Sequence, residues 1–173
     1  VLGSNLVREL LQRHYDVSVF LLKETKAQTL EGLPITRFYG NILNPFDLDT
    51  AFENQDIVIH CAAATHVFPA RNEMVIRVNL EGTKNVIELS IKHKIQRLIY
   101  VGTANSFGFG ESLNQLGQEY TPYKSSKYGL DYMDSKKRAQ ELILEAVEHK
   151  ELPALVVNPT FMLGPYDSKP SSG

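Results

Sequence analysis

Apolar positions along the chain follow two rhythms. Leu6, Val7, Leu10 and Leu11 recur at helical spacing, with Ser4 placed to cap that helix. Val17 to Leu22 is a short apolar, β-branched run of the kind that forms a buried strand. Beyond the Gly32-Leu33-Pro34 turn, Ile35 to Tyr39 reads as a weaker strand and Asp47 to Phe52 as a short helix. Ile57 to Ala64 is expected to be a strand that runs into small residues. Glu73 to His93 spaces Met74, Ile76, Val78, Leu80, Val86, Ile87 and Ile91 as a long half-buried helix. Arg97 to Val101 predicts another strand, Tyr132 to His149 another helix, and Ala154 to Val157 a last strand. No repeat, heptad or low-complexity tract interrupts the series.

Strands alternating with helices predict parallel βαβ units in an open, doubly wound α/β sheet with helices on both faces. In such sheets, binding sites lie beyond the carboxyl ends of the strands. The places to search are therefore the residues after Leu22, Tyr39, Cys61, Val101 and Val157.

Composition narrows the class. The 173 residues are 43% hydrophobic and 22% charged, ordinary for one globular domain. A net charge of −2, without a block of like charge, argues against a nucleic-acid partner. The lone Cys61 cannot form an internal disulfide, which favours a reducing compartment. No apolar stretch approaches the length of about 20 residues that spans a bilayer, and no signal-peptide pattern opens the chain. The expectation is a cytoplasmic protein with no membrane or nucleic-acid partner. Both ends look truncated: the chain starts at Val1 and ends in the turn-rich Lys169-Pro170-Ser171-Ser172-Gly173. No metal-ligand spacing appears, so no metal site is expected. His14, His93 and His149 are scattered; His60 is expected to point into packing and His66 toward a pocket.

The chemistry gathers between Tyr100 and Lys136. A strand ends in Gly102-Thr103-Ala104-Asn105-Ser106, and Tyr132-Met133-Asp134-Ser135-Lys136 follows. Tyr and Lys four apart share a helical face. A neighbouring cation favours the phenolate, so Lys136 is expected to lower the Tyr132 pKa from about 10 toward working pH. A tyrosine tuned in that way can exchange a proton with a carbonyl or alcohol oxygen. Thr103, with Ser106 as a rival, could hold that same oxygen. By itself the Tyr-x-x-x-Lys spacing is weak, because helix surface pairs produce it by chance.

Several further segments strengthen it. They are Val1-Leu2-Gly3-Ser4-Asn5-Leu6, Asp56-Ile57-Val58-Ile59-His60-Cys61-Ala62-Ala63, Asn79-Leu80-Glu81-Gly82-Thr83-Lys84-Asn85-Val86 and Asn158-Pro159-Thr160-Phe161-Met162-Leu163-Gly164-Pro165. In this order they resemble the TGxxGxxG tail, the DxVxHxAA strand, the NxxGTxNV helix and the RPxxxxGP segment of the extended short-chain dehydrogenase/reductases. That is the NAD-dependent epimerase/dehydratase superfamily, and the likeness is greatest to its dihydroflavonol-reductase-like members. The resemblance covers essentially the whole chain. It implies a Rossmann-like NAD(P)-binding domain over 1–165 lacking its first strand, with 166–173 beginning a linker to an absent substrate-binding region.

The resemblance also implies roles. Tyr132 would be the acid/base, Lys136 would bind the nicotinamide ribose, and Thr103 would hydrogen-bond the reacting oxygen. Gly3 would let a helix N-terminus approach the pyrophosphate. Asn41 and Ile42 would lie at the adenine, Cys61, Ala62 and Ala63 would border the cofactor, and Pro159 would sit near the nicotinamide. Tyr123-Lys124-Ser125-Ser126-Lys127 is a competing YxxSK. Tyr132 is preferred because Lys136 continues into the amphipathic run Ala139, Leu142, Ile143, Ala146 and Val147, whereas Lys127 runs into Gly129. The family's usual alanine three residues after the lysine is also present, as Ala139. Asn41 and Asn158 stand where the family has Asp and Arg, and Phe107 where tyrosine is common.

Lys23 tips the cofactor toward NADP over NAD, and Glu24 could reverse that. The function implied is hydride transfer between nicotinamide and a carbonyl or alcohol carbon of a small molecule. A nucleotide-sugar epimerase or dehydratase, or a non-catalytic NAD(P) sensor, are the alternatives. A homodimer through the two long helices is expected.

Overall fold

The computed structural model describes residues 1–110, 112, 114–150 and 152–167. Residues 168–173 of the expected linker lie outside the described residues. In chain order the elements are α1 (Leu2–Gln12), β1 (Ser18–Leu21), β2 (Thr36–Tyr39), α2 (Pro45–Phe52), β3 (Ile57–His60), α3 (Glu73–Lys92), β4 (Arg97–Val101), α4 (Asp131–Lys150) and β5 (Ala154–Val157). Short 3-10 turns occupy Gln28–Leu30, Ala104–Ser106 and Ser125–Tyr128.

All strand pairs are parallel, as the alternating pattern predicts. The hydrogen bonding divides into two sheets, β1-β2 and β3-β4-β5. Ser18 pairs with Thr36, Ile57 with Arg97, and Leu98 with Ala154. In the expected 3-2-1-4-5-6 order, the break falls where the first strand would lie.

The core sits where α3 and α4 pack together over β4. Leu98, Ala139 and Ile143 are fully buried, and Val86, Ile87, Leu89, Ile95 and Leu152 close around them. Each such aliphatic side chain contributes about 1.5–3 kcal/mol through burial. Ile42 joins this core by packing over Gly82, where an added Cβ would lie 3.0 Å from the Ile42 side chain. Its carbonyl accepts from the Asn85 side chain at 2.9 Å. At the other end of the chain, α1 is tied down by side chains. Arg8 donates to the Thr29 carbonyl at 2.7 Å and lies 3.6 Å over the Tyr166 ring.

Three boundaries differ from the sequence reading by more than one residue. Ser4 does not cap α1: the helix starts at Leu2 after Val1, and the Ser4 hydroxyl pairs instead with Thr29 at 2.8 Å. β3 stops at His60 rather than reaching Ala64. The side chain of Asn79 takes both backbone groups of Ala64, accepting from its N–H at 2.8 Å and donating to its carbonyl at 3.1 Å. A residue satisfied in that way has nothing left for a ladder. Helix α2 starts two residues early because Asn44 caps it, accepting from Phe46 N–H, and Pro45 opens its first turn.

Candidate active site

The site forms at the carboxyl ends of β3, β4 and β5, against the start of α4. Thr103 follows β4 directly, and its hydroxyl caps the Ala104–Ser106 turn by accepting from Asn105 N–H. The extended backbone needed there is supported across the sheet. The Asn158 side chain, just beyond β5, accepts from Thr103 N–H at 2.8 Å, and Pro159 accepts from Ala104 N–H at 3.0 Å. Only glycine fits at 102, because a Cβ there would lie 2.1 Å from the Asn158 amide oxygen. Asn158 was noted in the sequence only as a departure from Arg; here it fixes the backbone that carries Thr103.

Tyr132 and Lys136 occupy the first turns of α4. Lys136 is 3% exposed; its ammonium donates to the Val101 carbonyl at 2.7 Å and lies 4.3 Å over the Tyr100 ring. Burial lowers its pKa from 10.5 to about 8, while the nearby Cys61 acts in the opposite direction. Reciprocally, burial raises the Cys61 pKa and Lys136 pulls it back, so the end of β3 and the lysine are electrostatic neighbours. Tyr132 is half-buried, and the Thr103 hydroxyl is near enough to act on the titration of its phenol.

The expected lowering of the Tyr132 pKa is not what the structure gives. Burial raises it, and only Thr103 opposes that rise. The physical reason is burial of the phenol, while the lysine ammonium is engaged with the Val101 carbonyl and the Tyr100 ring. Thr103, Tyr132 and Lys136 are thus brought together. Ser106, the rival hydroxyl, is buried without a hydrogen-bond partner. Tyr123 lies apart from this set, donating to Asp134 at 2.7 Å; burial, and after it this bond, hold its pKa above that of a free phenol.

The remaining candidates are spread over several segments of the chain. Ala62 is exposed, and Ala63 and Cys61 are half-buried beyond β3. Gly3 is exposed in the first turn of α1, with open space where a side chain would be. Asn41 is exposed beyond β2; its side chain accepts from Leu43 N–H and its own N–H donates to Asp47. Lys23 is exposed beyond β1 and His66 is exposed in the β3–α3 loop. His60 is buried against Tyr100 and hydrogen-bonded to Thr83, and burial drops its pKa to about 3, so it is a neutral packing residue.

Two residues of the site had no role in the sequence reading. Asn79 donates to Ser135 at 2.9 Å, and Ser135 donates to the Tyr132 carbonyl at 3.0 Å. These bonds seat the helix that carries Tyr132. Asn79 lies inside the quoted NxxGTxNV segment, which was the one available signal.

A family model described as the 3-beta hydroxysteroid dehydrogenase/isomerase family matches residues 1–171. The chain belongs to that family. Bovine sterol-4-alpha-carboxylate 3-dehydrogenase, decarboxylating (Bos taurus), is 32% identical over 96% of this chain and 45% of its own length. A putative dihydroflavonol 4-reductase of Synechocystis is 28% identical over 98% of this chain and 48% of its own length. The chain therefore spans about half the length of the curated relatives it matches. Among solved structures, the UDP-glucose 4-epimerase of Thermus thermophilus in complex with NAD superposes with a TM-score of 0.79. It is 21% identical and covers 91% of this chain and 51% of its own. The extended dehydrogenase/reductase likeness and the Rossmann-like α/β class read from the sequence both hold. Among the described residues, no helix is long and apolar enough to cross a membrane.

Proposed function

We propose that this chain carries the NAD(P)-binding and proton-transfer half of an oxidoreductase that interconverts a carbonyl and an alcohol. The observation that carries this reading is the convergence of Thr103, Tyr132 and a buried Lys136 beside the small residues that end β3. The residues present suit a dinucleotide. Gly3 has open space at a helix N-terminus, where exposed N–H groups favour a phosphate. Ala62 and Ala63 leave room for a ring, and Lys136 offers a cation to ribose hydroxyls. Cys61, Asn41, Ile42 and Pro159 complete the lining, Ile42 by holding its loop against α3. The dinucleotide, when bound, supplies the hydride.

The protein's share of the chemistry follows from its own groups. A phenol with a raised pKa is protonated at neutral pH, which equips Tyr132 to donate a proton to the reduced oxygen. Thr103, rigidly carried by Gly102 and Asn158, orients that oxygen by a second hydrogen bond. Lys136, with a pKa near 8, remains largely charged at neutral pH.

Lys23 beyond β1 supports NADP over NAD, and the free Cys61 supports a cytoplasmic setting. The exposed Ile91 on α3 and Leu144 and Val147 on α4 support pairing of two copies through these helices. A second reading, an epimerase with transient oxidation, draws on the solved epimerase likeness.

The test uses the full-length enzyme. Tyr132→Phe abolishes turnover while Tyr123→Phe spares most of it; the reverse result sinks the assignment. Stoichiometric consumption of NAD(P)H identifies a reductase, and turnover without net consumption an epimerase. Cofactor binding with no turnover across a broad carbonyl panel would leave only the sensor role.

A further inference from the structure

The residue before Tyr132 is an aspartate that the proton-transfer set leaves unused. Asp131 is 4% exposed, an expensive place for a carboxylate unless it is bonded and paired. It accepts from Arg71 Nη1 at 2.8 Å and from Asn72 N–H at 2.6 Å. Its own N–H donates to the Ala70 carbonyl at 3.0 Å. Three bonds thus join the start of α4 to the end of the loop that begins with Cys61, Ala62 and Ala63. Asn72 is also the N-cap of α3, accepting from Met74 and Val75 N–H.

The surroundings are shaped to this contact. Gly129 is left-handed at φ 61°, and a Cβ there would lie 3.0 Å from the Arg71 guanidinium. The glycine that ends the competing YxxSK therefore lets the arginine lie across the chain. Arg71 also comes within 3.9 Å of Asp134, which holds Tyr123. Tyr132 is consequently bracketed. Ahead of it Asp131 grips the N-terminus of α3, and behind it Ser135 is held by Asn79 of the same helix.

We propose that Asp131 and Arg71 form a clasp that sets Tyr132 against the cofactor-bordering loop, making both of them positioning residues for proton transfer. The proposal rests on the reading of Tyr132 as the acid/base. Turnover needs the phenol at hydrogen-bond distance from the reacting oxygen, and a displacement of about 1 Å can lower a rate about 100-fold. The clasp acts on that distance and leaves the phosphate and ribose contacts alone. It should therefore appear in kcat and not in cofactor affinity.

The experiment uses the full-length enzyme with Arg71→Met, Asp131→Asn, the double variant and Tyr132→Phe. Cofactor affinity is read by nucleotide fluorescence, folded fraction by thermal melting, and kcat per cofactor-binding site by turnover. The expected result is a kcat about tenfold or more lower in each single variant, with cofactor Kd within about threefold, and a double variant no worse than the singles, since partners in one pair are non-additive. Arg71→Lys is expected to restore part of kcat by keeping the charge. Wild-type kcat per site in Arg71→Met overturns the clasp, as does a loss that only tracks the folded fraction or adds in the double variant. The Arg71 side chain is 69% exposed, so its variant decides even where Asp131→Asn fails to fold. Full turnover by Tyr132→Phe overturns the acid/base reading itself, whereas a dead Tyr132→Phe beside an unaffected Arg71→Met removes the clasp alone.

Discussion

Replacing Lys136 by Met separates what the site needs from what the fold would prefer. Lys136 is 3% exposed, and its ammonium lies against the Val101 carbonyl and the Tyr100 ring face. Burial moves its pKa from 10.5 to about 8. At roughly 1.4 kcal/mol per unit of pH, that gap is worth about 3 kcal/mol against folding with the lysine charged. The sign follows from proton counting. Between pH 8 and 10.5 the unfolded chain holds the proton that the folded chain has released, so stability rises with pH across this window. Above 10.5 neither state is charged and the penalty is gone; below about 8 it applies in full. Met fills a similar volume without charge. Lys136→Met should therefore raise the cofactor-free stability at pH 7 by up to about 3 kcal/mol, or some 6–10 °C in Tm for a domain of this size. The advantage should shrink from pH 8 to 10.5 and vanish beyond, while turnover is lost. Chemical denaturation and calorimetry of both proteins across this range are the assay. A variant no more stable than wild type at pH 7, or an advantage that does not change with pH, would refute the reasoning.

Other consequences follow from single contacts. Asn158→Leu leaves Thr103 N–H without its acceptor, a loss of about 1–3 kcal/mol, and turnover should fall about tenfold or more with cofactor affinity retained; steady-state kinetics with fluorescence titration decides. Gly102→Ala drives a methyl into the Asn158 amide oxygen and should destabilise by about 1–3 kcal/mol with loss of activity, read by urea denaturation. Full-length protein should sediment as a dimer, and Leu144→Glu, on an exposed turn of α4, should shift it to monomer. Separate titrations with NADH and NADPH should favour NADPH, and Lys23→Glu should reduce that preference.

Much of this molecule was legible in one dimension because the determining physics is local. Helical spacing identified α3 and α4, and β-branched runs identified β1, β4 and β5, since burial of one face imposes a period on the chain. The ordered motifs carried the family likeness and nominated Thr103, Tyr132 and Lys136. Turn chemistry was legible too, although the cap at Asn44-Pro45 carries no apolar period to mark it.

What spacing could not convey were the consequences of contact between distant segments. β3 ends at His60, and Ala64 is held instead by the Asn79 side chain from the following helix. The Tyr132 pKa rises because the fold buries the phenol, where helical adjacency to Lys136 alone suggested the opposite. Asn158 supports Thr103 across the sheet, and Asp131 meets Arg71 from 60 positions away. The sequence alone nominated the residues proposed to carry the chemistry. Burial and the direction of each hydrogen bond, which decide how strongly a group holds its proton, exist only once the sheet and the two long helices have closed around them.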